Sequence, residues 1–177
     1  MPSTFGALCI IWQETELGLR IRRLFLPSEQ TSVEKIARMT FINASPSSCP
    51  LITELSGQIQ RFLEGEAIDF KLSIIALEKC SEFQRRVLLA ERNVPRGWVS
   101  TYKRIAKSLG IPDGAKAVGR ALACNPFPII IPCHRAIKSN GELGGFQGGL
   151  KMKRALLELE GVRFLPDGRV ITNRIYY

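Results

Sequence analysis

Asn125-Pro126-Phe127-Pro128-Ile129-Ile130-Ile131-Pro132-Cys133-His134-Arg135 is the stretch on which the reading of this chain turns. Three consecutive isoleucines between prolines read as a short buried strand, and its exit places the chain's single histidine directly after a cysteine. Taken alone, the stretch favours a core strand with an inert thiol, because free cysteine is among the most buried residue types. Adjacency does not overturn this, since neighbours on an extended strand point to opposite faces. The surrounding chain decides between an inert thiol and a reactive one.

Immediately upstream, residues 101–124 read as a helix-turn-helix. Thr101 caps a short helix with Tyr102, Ile105, Ala106 and Leu109 on one side, Gly110-Ile111-Pro112 breaks it, and Asp113 caps a second helix to about Cys124. Ala115, Val118 and Leu122 form its inner face, while Lys116, Gly119, Arg120 and Ala123 face outward with Ala117 at the edge. Two cations among very small side chains allow close approach to a nucleic acid, with little to reach base edges, so grip through phosphates is expected. Two tightly packed helices with small contact residues explain the same segment.

Downstream, Lys138-Ser139-Asn140-Gly141 is a turn, and Gly144-Gly145-Phe146-Gln147-Gly148-Gly149 is either turn punctuation or a backbone wall for a planar ligand. Residues 150–160 read as a helix with Met152, Leu156 and Leu159 inward and Gly161 after its end. Its last residue, Glu160, breaks a rule, because a carboxylate at a helix C-terminus is disfavoured by the macrodipole. It is therefore either solvated or kept for a partner. Residues 163–171 read as a small hairpin about Pro166-Asp167-Gly168.

In the first half, residues 6–12 and 17–25 read as a β-hairpin joined across residues 13–16. A short helix follows from Thr31 or Ser32, then a loop over residues 43–50. A second helix spans residues 50–64 with Leu51, Leu55, Ile59, Phe62 and Leu63 as its stripe, and a third strand is expected over residues 68–73. Ser81 caps a helix with Phe83, Val87 and Leu88 inward that stops before Pro95.

Across its 177 residues the chain carries a net charge of +9, unevenly placed. Residues 1–79 hold 8 Lys/Arg against 9 Asp/Glu, whereas residues 80–177 hold 17 against 7. This sets a boundary near residue 80, with units 1–79 and 80–177, and a basic face suited to a polyanion on the second. A solvated basic surface accounts for the charge equally well. Five scattered cysteines without a CxxC pair, and one histidine, point to a reduced protein with no metal or cofactor. The N-terminus lacks a basic leader, and the apolar run over residues 7–12 is too short for a signal peptide or membrane span, so a cytoplasmic or nuclear protein is expected.

Residues 94–162 resemble the C-terminal domain of the O6-alkylguanine-DNA alkyltransferases. The resemblance rests on Pro-Cys-His-Arg at 132–135 after an apolar segment, Asn125-Pro126 before it, Gly-Gly-Leu at 148–150, and Glu-Gly at 160–161. It implies an α+β protein: a small N-terminal β-sheet and helix domain of ribonuclease-H-like topology, then a mainly helical domain with a winged-helix-like helix-turn-helix. It also implies single-turnover repair of double-stranded DNA by a monomer, in which an alkyl group on O6 of guanine, or O4 of thymine, passes to Cys133. His134 would act through a water as the base, Glu160 would orient the histidine, and Asn125 would hold the hinge before the active-site segment. Tyr102 would donate to the departing guanine. Thr101, Lys116, Ala117, Gly119, Arg120 and Arg135 would contact DNA through the minor groove around a flipped base, with Arg135 salt-bridged. Ala136, Phe146, Gln147 and Gly148 would line the base pocket.

Two departures stand out. Lys116 occupies the place where the family usually carries an arginine that fills the space of the extruded base, keeping the charge without the planar stacking surface. Weaker, more salt-sensitive binding is expected from it. Gln147 stands where some members have a pocket serine, leaving preference among larger alkyl groups open. Two rivals remain on residue chemistry alone. A Cys-His hydrolase would use the same thiolate and acid, but leaves the basic helices unexplained. A DNA-binding regulator explains the helices and not the Cys-His pair.

Overall fold

A computed structural model describes residues 1–16, 18–27, 31–171 and 173–177. Strands β1 (Cys9–Thr15) and β2 (Gly18–Phe25) form an antiparallel hairpin. Its first strand begins later than the apolar run and uses Gln13, Glu14 and Thr15 as strand rather than connection. Leu17, expected to open the second strand, lies outside the described residues. Pairing of Ile11 with Arg23 and of Trp12 with Ile21 leaves Arg22 as an extra residue. That bulge lets Ile21 and Leu24, three apart, both enter the core, which a strict two-residue period would forbid.

Helix α1 (Val33–Thr40) is capped by Ser32, whose hydroxyl accepts from the Lys35 amide at 3.3 Å. Helix α2 (Pro50–Leu63) opens on proline and buries Ile52, Leu55, Ile59, Phe62 and Leu63; Leu51, expected on this stripe, is exposed. The strand expected over residues 68–73 does not form. Arg92 instead pairs with Asp69 and donates to the Phe70 carbonyl at 3.2 Å, and the chain passes into a 3-10 turn, Leu72–Ile74. A single bridge, Ile21 with Ile75, follows it.

Helix α3 (Glu82–Arg92) is capped by Ser81 and buries Val87, Leu88 and Glu91, leaving Phe83 exposed where it was expected inward. Strand β3 (Ser100–Thr101) leads into α4 (Tyr102–Ser108), and α5 (Ala115–Ala123) completes the helix-turn-helix packed on α3. Thr101 caps α4 as expected, its hydroxyl accepting from the Arg104 amide at 3.1 Å. Asp113 does not cap α5; Gly114 stands there, its amide bonded to the Ile111 carbonyl at 2.7 Å, and a Cβ at that position would lie 2.8 Å from the Ile111 side chain.

The isoleucine run is not a strand. Ile129 has a φ of 73°, a conformation costly for a β-branched residue, and Pro128 bridges to Ile131 around a tight turn. Prolines at 126, 128 and 132 lack the N–H groups that a ladder needs, so burial of all three isoleucines is achieved by a folded loop. Cys133 then sits in a 3-10 turn, Cys133–Arg135, which enters β4 (Ala136–Ile137), parallel to β3. The C-terminal segment extends this small sheet, with the Tyr176 amide bonded to the Val99 carbonyl at 2.8 Å. Helix α6 (Gly149–Leu159) buries Met152, Lys153, Leu156 and Leu157, turned so that Leu159 is exposed rather than inward. Beyond it, the expected terminal hairpin forms in short: Phe164 bridges Val170 antiparallel, the Leu165 amide bonds the Arg169 carbonyl at 2.8 Å and the Ile171 amide the Arg163 carbonyl at 2.9 Å.

The described residues form a mixed α+β fold in which one apolar cluster runs from Leu8, Ile21 and Ile59 through Val87 and Ile105 to Phe127, Ile131 and Met152. The Leu24 amide donates to the Pro126 carbonyl at 2.8 Å, tying the hairpin to the segment that carries the cysteine. Ile59 is fully buried at the centre of this cluster. Ile59→Ala is expected to lower unfolding free energy by about 2–5 kcal/mol, seen as a lower urea midpoint at unchanged slope.

Candidate active site

Asn125 builds the local frame. Its carboxamide oxygen accepts from the Phe127 amide at 2.9 Å, and its Nδ2 donates both to the Ile131 carbonyl at 3.1 Å and to Cys133 Sγ at 3.2 Å. One buried side chain thus closes the proline-rich loop and holds the sulfur. A donor aimed at sulfur favours the thiolate, yet burial dominates and pushes the Cys133 thiol up to about 11. At neutral pH the thiol therefore holds its proton, and a thiolate forms only where an acceptor takes it.

His134 is the next residue. It is fully buried, its ring edge-on to Phe62 of α2 and to Phe146 of the glycine-rich loop, with centroids 6.1 and 6.3 Å away. Burial lowers its affinity for a proton, which keeps the imidazole neutral. Nε2 lies 3.0 Å from Glu160 Oε1, so the neutral ring donates there and leaves the Nδ1 lone pair, which is buried without a partner, as the acceptor. Glu160 stays ionised. Although burial opposes it, bonds from His134 and Arg135 hold its carboxyl down to about 2. Arg135 grips both carboxylate oxygens, Nε to Oε2 at 2.9 Å and Nη2 to Oε1 at 2.7 Å, and donates from Nη1 to the Val94 carbonyl at 2.6 Å.

This network accounts for the carboxylate at the end of α6. Glu160 closes the helix at its C-cap and turns inward to two cationic or donor groups, which outweighs the helix dipole. It also relocates Arg135. The expected salt bridge is present and the expected DNA contact is not: the guanidinium is buried and engaged by Glu160 and Val94, so it serves the interior. Thr101 is likewise buried with its hydroxyl in the α4 cap.

Tyr102 stands half-buried at the first turn of α4, between two glycines. A Cβ on Gly119 of α5 would rest 3.8 Å from its ring, and one on Gly144 would collide with its hydroxyl at 2.6 Å. Small residues at these positions are what admit the ring. Burial, with the negative charge of Glu91 and Cys133 behind it, pushes the phenol up to about 12, keeping it a donor. Lys116, Ala117, Arg120 and Ala123 are exposed on α5, beside this ring. On the glycine-rich loop Phe146, Gln147 and Gly148 are part-buried, and Ala136 is buried at the head of β4.

The structure therefore gathers Cys133, His134, Glu160, Asn125 and Arg135 in one buried cluster below Tyr102, and sets Lys116, Ala117 and Arg120 on the outer helix face. Two buried residues escaped the sequence reading. Lys153 donates to the Ala136 carbonyl at 2.6 Å, with its Nζ 5.9 Å from the centre of the Tyr102 ring, and Glu91 lies fully buried on α3. Spacing held a signal for both: Lys153, Leu156, Leu157 and Glu160 form one helical stripe, as do Val87, Leu88 and Glu91. Among the described residues no group of three or more His, Cys, Asp or Glu could hold a metal ion.

Comparison with known proteins follows the same lines. A family model described as the DNA-binding domain of 6-O-methylguanine DNA methyltransferase matches residues 82–162. The methylated-DNA–protein-cysteine methyltransferase of Methanothermobacter thermautotrophicus is 45% identical over 120 residues, covering 67% of each chain. Its namesake in Saccharolobus islandicus is 45% identical over 115 residues, 65% of this chain and 72% of that one. Among solved structures, Mycobacterium tuberculosis OGT in complex with DNA superposes with a TM-score of 0.73 at 30% identity, covering 90% of this chain and 89% of that one. On these matches, of which the family model spans the segment bearing Cys133 and both helices of the helix-turn-helix, the chain belongs to the methylated-DNA–protein-cysteine methyltransferase family.

Proposed function

We propose that this protein repairs DNA by carrying an alkyl group from O6 of guanine, or O4 of thymine, onto Cys133, once per molecule. The observation that carries the reading is the Cys133 sulfur, held at 3.2 Å by Asn125 in a buried site next to the His134–Glu160 pair and at the foot of a helix-turn-helix. An alkyl carbon on a guanine oxygen is an ordinary soft electrophile, and in-line displacement asks for a thiolate and for neutralisation of the leaving ring.

The proton inventory closes within the site. Cys133 gives its proton through a bridging water to Nδ1 of His134, and the resulting imidazolium is stabilised by Glu160, already ionised and fixed by Arg135. Sulfur forms a bond to the alkyl carbon as the carbon–oxygen bond breaks, the departing guanine takes the Tyr102 hydroxyl proton, and the phenolate so left recovers a proton from the His134 imidazolium through water, so that the net transfer is one proton from Cys133 to guanine. The thioether does not revert, so the thiol is consumed. A buried sulfur cannot reach a base stacked in a duplex, hence the base flips out, at a cost of a few kcal/mol. The α5 face presents Lys116, Ala117, Gly119 and Arg120 to the minor groove, where small residues permit close approach and the cations meet phosphates. In this reading residues 1–79 brace the site through the Phe62 ring on His134 and the Leu24 amide on the Pro126 carbonyl, residues 80–177 carry it, and the protein acts as a monomer.

Mass spectrometry of the protein after incubation with a methylguanine oligonucleotide is expected to show one methyl group on the peptide containing Cys133, and none in Cys133→Ala. Repeated turnover without added reagent, as a Cys-His hydrolase would give, would falsify the single-use mechanism. DNA affinity is expected to fall steeply between about 50 and 200 mM salt, and Lys116→Ala to flatten that slope by about one unit; a salt-independent affinity would contradict the basic-face assignment. Tyr102→Phe is expected to slow transfer about 100-fold while changing DNA affinity little, as removal of one transition-state donor does. Loss of affinity with an unchanged transfer rate would reverse that role.

A further inference from the structure

Below the pocket lie two buried charged residues that the transfer step does not use, one on either side of Ala136. Glu91 on α3 is fully buried and neither carboxylate oxygen has a hydrogen-bond partner; the Ala136 N–H acts on it from short of bonding geometry. Lys153 on α6 is fully buried too, and donates to the Ala136 carbonyl at 2.6 Å and the Gly145 carbonyl at 3.3 Å. Both helices pack on the 3-10 turn that carries Cys133.

The two carbonyls belong to different parts of the site: Ala136 heads β4, and Gly145 lies in the glycine-rich loop beside Phe146 and Gln147. Lys153 is thus a tie between the scaffold and the pocket wall, passing below Tyr102. An ammonium group makes strong bonds to carbonyls, whereas a neutral amine is a poor donor. Burial works against the ammonium form and lowers Lys153 to about 8, with the charges of Cys133 and Glu91 opposing that fall. Burial likewise raises Glu91 to about 8, against the pull of Lys153 and Arg135.

We propose that Glu91 is a positioning residue for the transfer reaction, the counter-charge that keeps Lys153 in its ammonium form so that it ties the glycine-rich wall to β4 beneath Tyr102. The reading of Cys133 as the alkyl acceptor enters only in saying what the wall contacts. Glu91 is faced by Lys153 from α6, Arg135 and Cys133 from the 3-10 turn, Tyr102 from α4 and Tyr177 from the C-terminal segment. Lys153 is faced by Glu91, Cys133, His134 and the Tyr102 ring. As pH rises, Glu91 releases its proton in the range where the buried lysine would otherwise release its own. The carboxylate so formed strengthens the lysine's hold on its proton. Without that carboxylate the ammonium is lost at lower pH, and the tie with it.

Carbon-13 NMR titration of the full chain without DNA, from about pH 6 to about pH 10, tests this on Lys153 Cε and Glu91 Cδ, with Lys153→Met assigning the lysine signal. In the wild type the Lys153 curve should inflect at the Glu91 midpoint, as coupled groups do. In Glu91→Gln the Lys153 midpoint should fall by about one pH unit, roughly tenfold in proton affinity. Amide hydrogen exchange at residues 144–148 should accelerate at correspondingly lower pH, and Glu91→Asp should restore both. A Lys153 curve with no inflection at the Glu91 midpoint, or an unchanged midpoint in Glu91→Gln, overturns the inference; the wild-type curve decides it even if the variant does not fold. Methyl transfer measured on the same samples separates the two readings. Absent transfer with a shifted midpoint removes the proposed reaction alone, and normal transfer with an unshifted midpoint removes the role of Glu91 alone.

Discussion

The Glu160 carboxylate, buried at the end of α6 and bound by Arg135 and His134, is the interaction on which the rest of the site depends. It joins α6 to the turn carrying Cys133, and through Arg135 to the Val94 carbonyl after α3. A buried carboxylate without partners would take up a proton, and a buried arginine without a carboxylate would be a bare charge in the core. Each is tolerated only because the other is present, and the geometry of that mutual need sets the orientation of the imidazole. Two N–H···O contacts from one planar guanidinium leave the carboxylate little freedom, so the histidine tautomer is fixed as well.

Under the proposed transfer, the site around that pair solves opposite problems for its two reacting groups. The thiol is kept protonated by burial until a substrate arrives, which protects a nucleophile that can be used only once. The phenol of Tyr102 is kept protonated for a different reason, since it must give a proton rather than lose one early. Both states follow from the same low-dielectric surroundings, and both are biased further by Glu91. Lys153 offsets that bias at the sulfur, so the charge below the pocket is a balance between α3 and α6 rather than a property of either helix.

Much of this was legible in the chain. The cap at Ser81, the cap at Thr101, the break at Gly110 and the glycine after Glu160 each carry local chemistry that any helix would respond to. Helix phase was less secure: Leu51, Phe83 and Leu159 read as inward and are exposed, because a stripe of three or four apolar residues can be rotated by one position at little cost in hydrophobic spacing. The strand expected over residues 68–73 failed because its pattern needs a neighbour, and Arg92 occupies that place instead.

The sequence by itself determined the chemistry. A cysteine next to the only histidine, a misplaced glutamate, and a small-faced basic helix are statements about residue types, and residue types are given by the chain. Tertiary structure alone decided the geometry. Prolines that cannot join a ladder turned the isoleucine run into a loop clamped by Asn125, with Ile129 held at a positive φ. Arg135 lies in the interior, bonded to both Glu160 oxygens and to the Val94 carbonyl. Lys153 and Glu91, which the sequence did not single out, are buried because α3 and α6 both close on the turn that holds Cys133, and no local pattern specifies which two helices will meet.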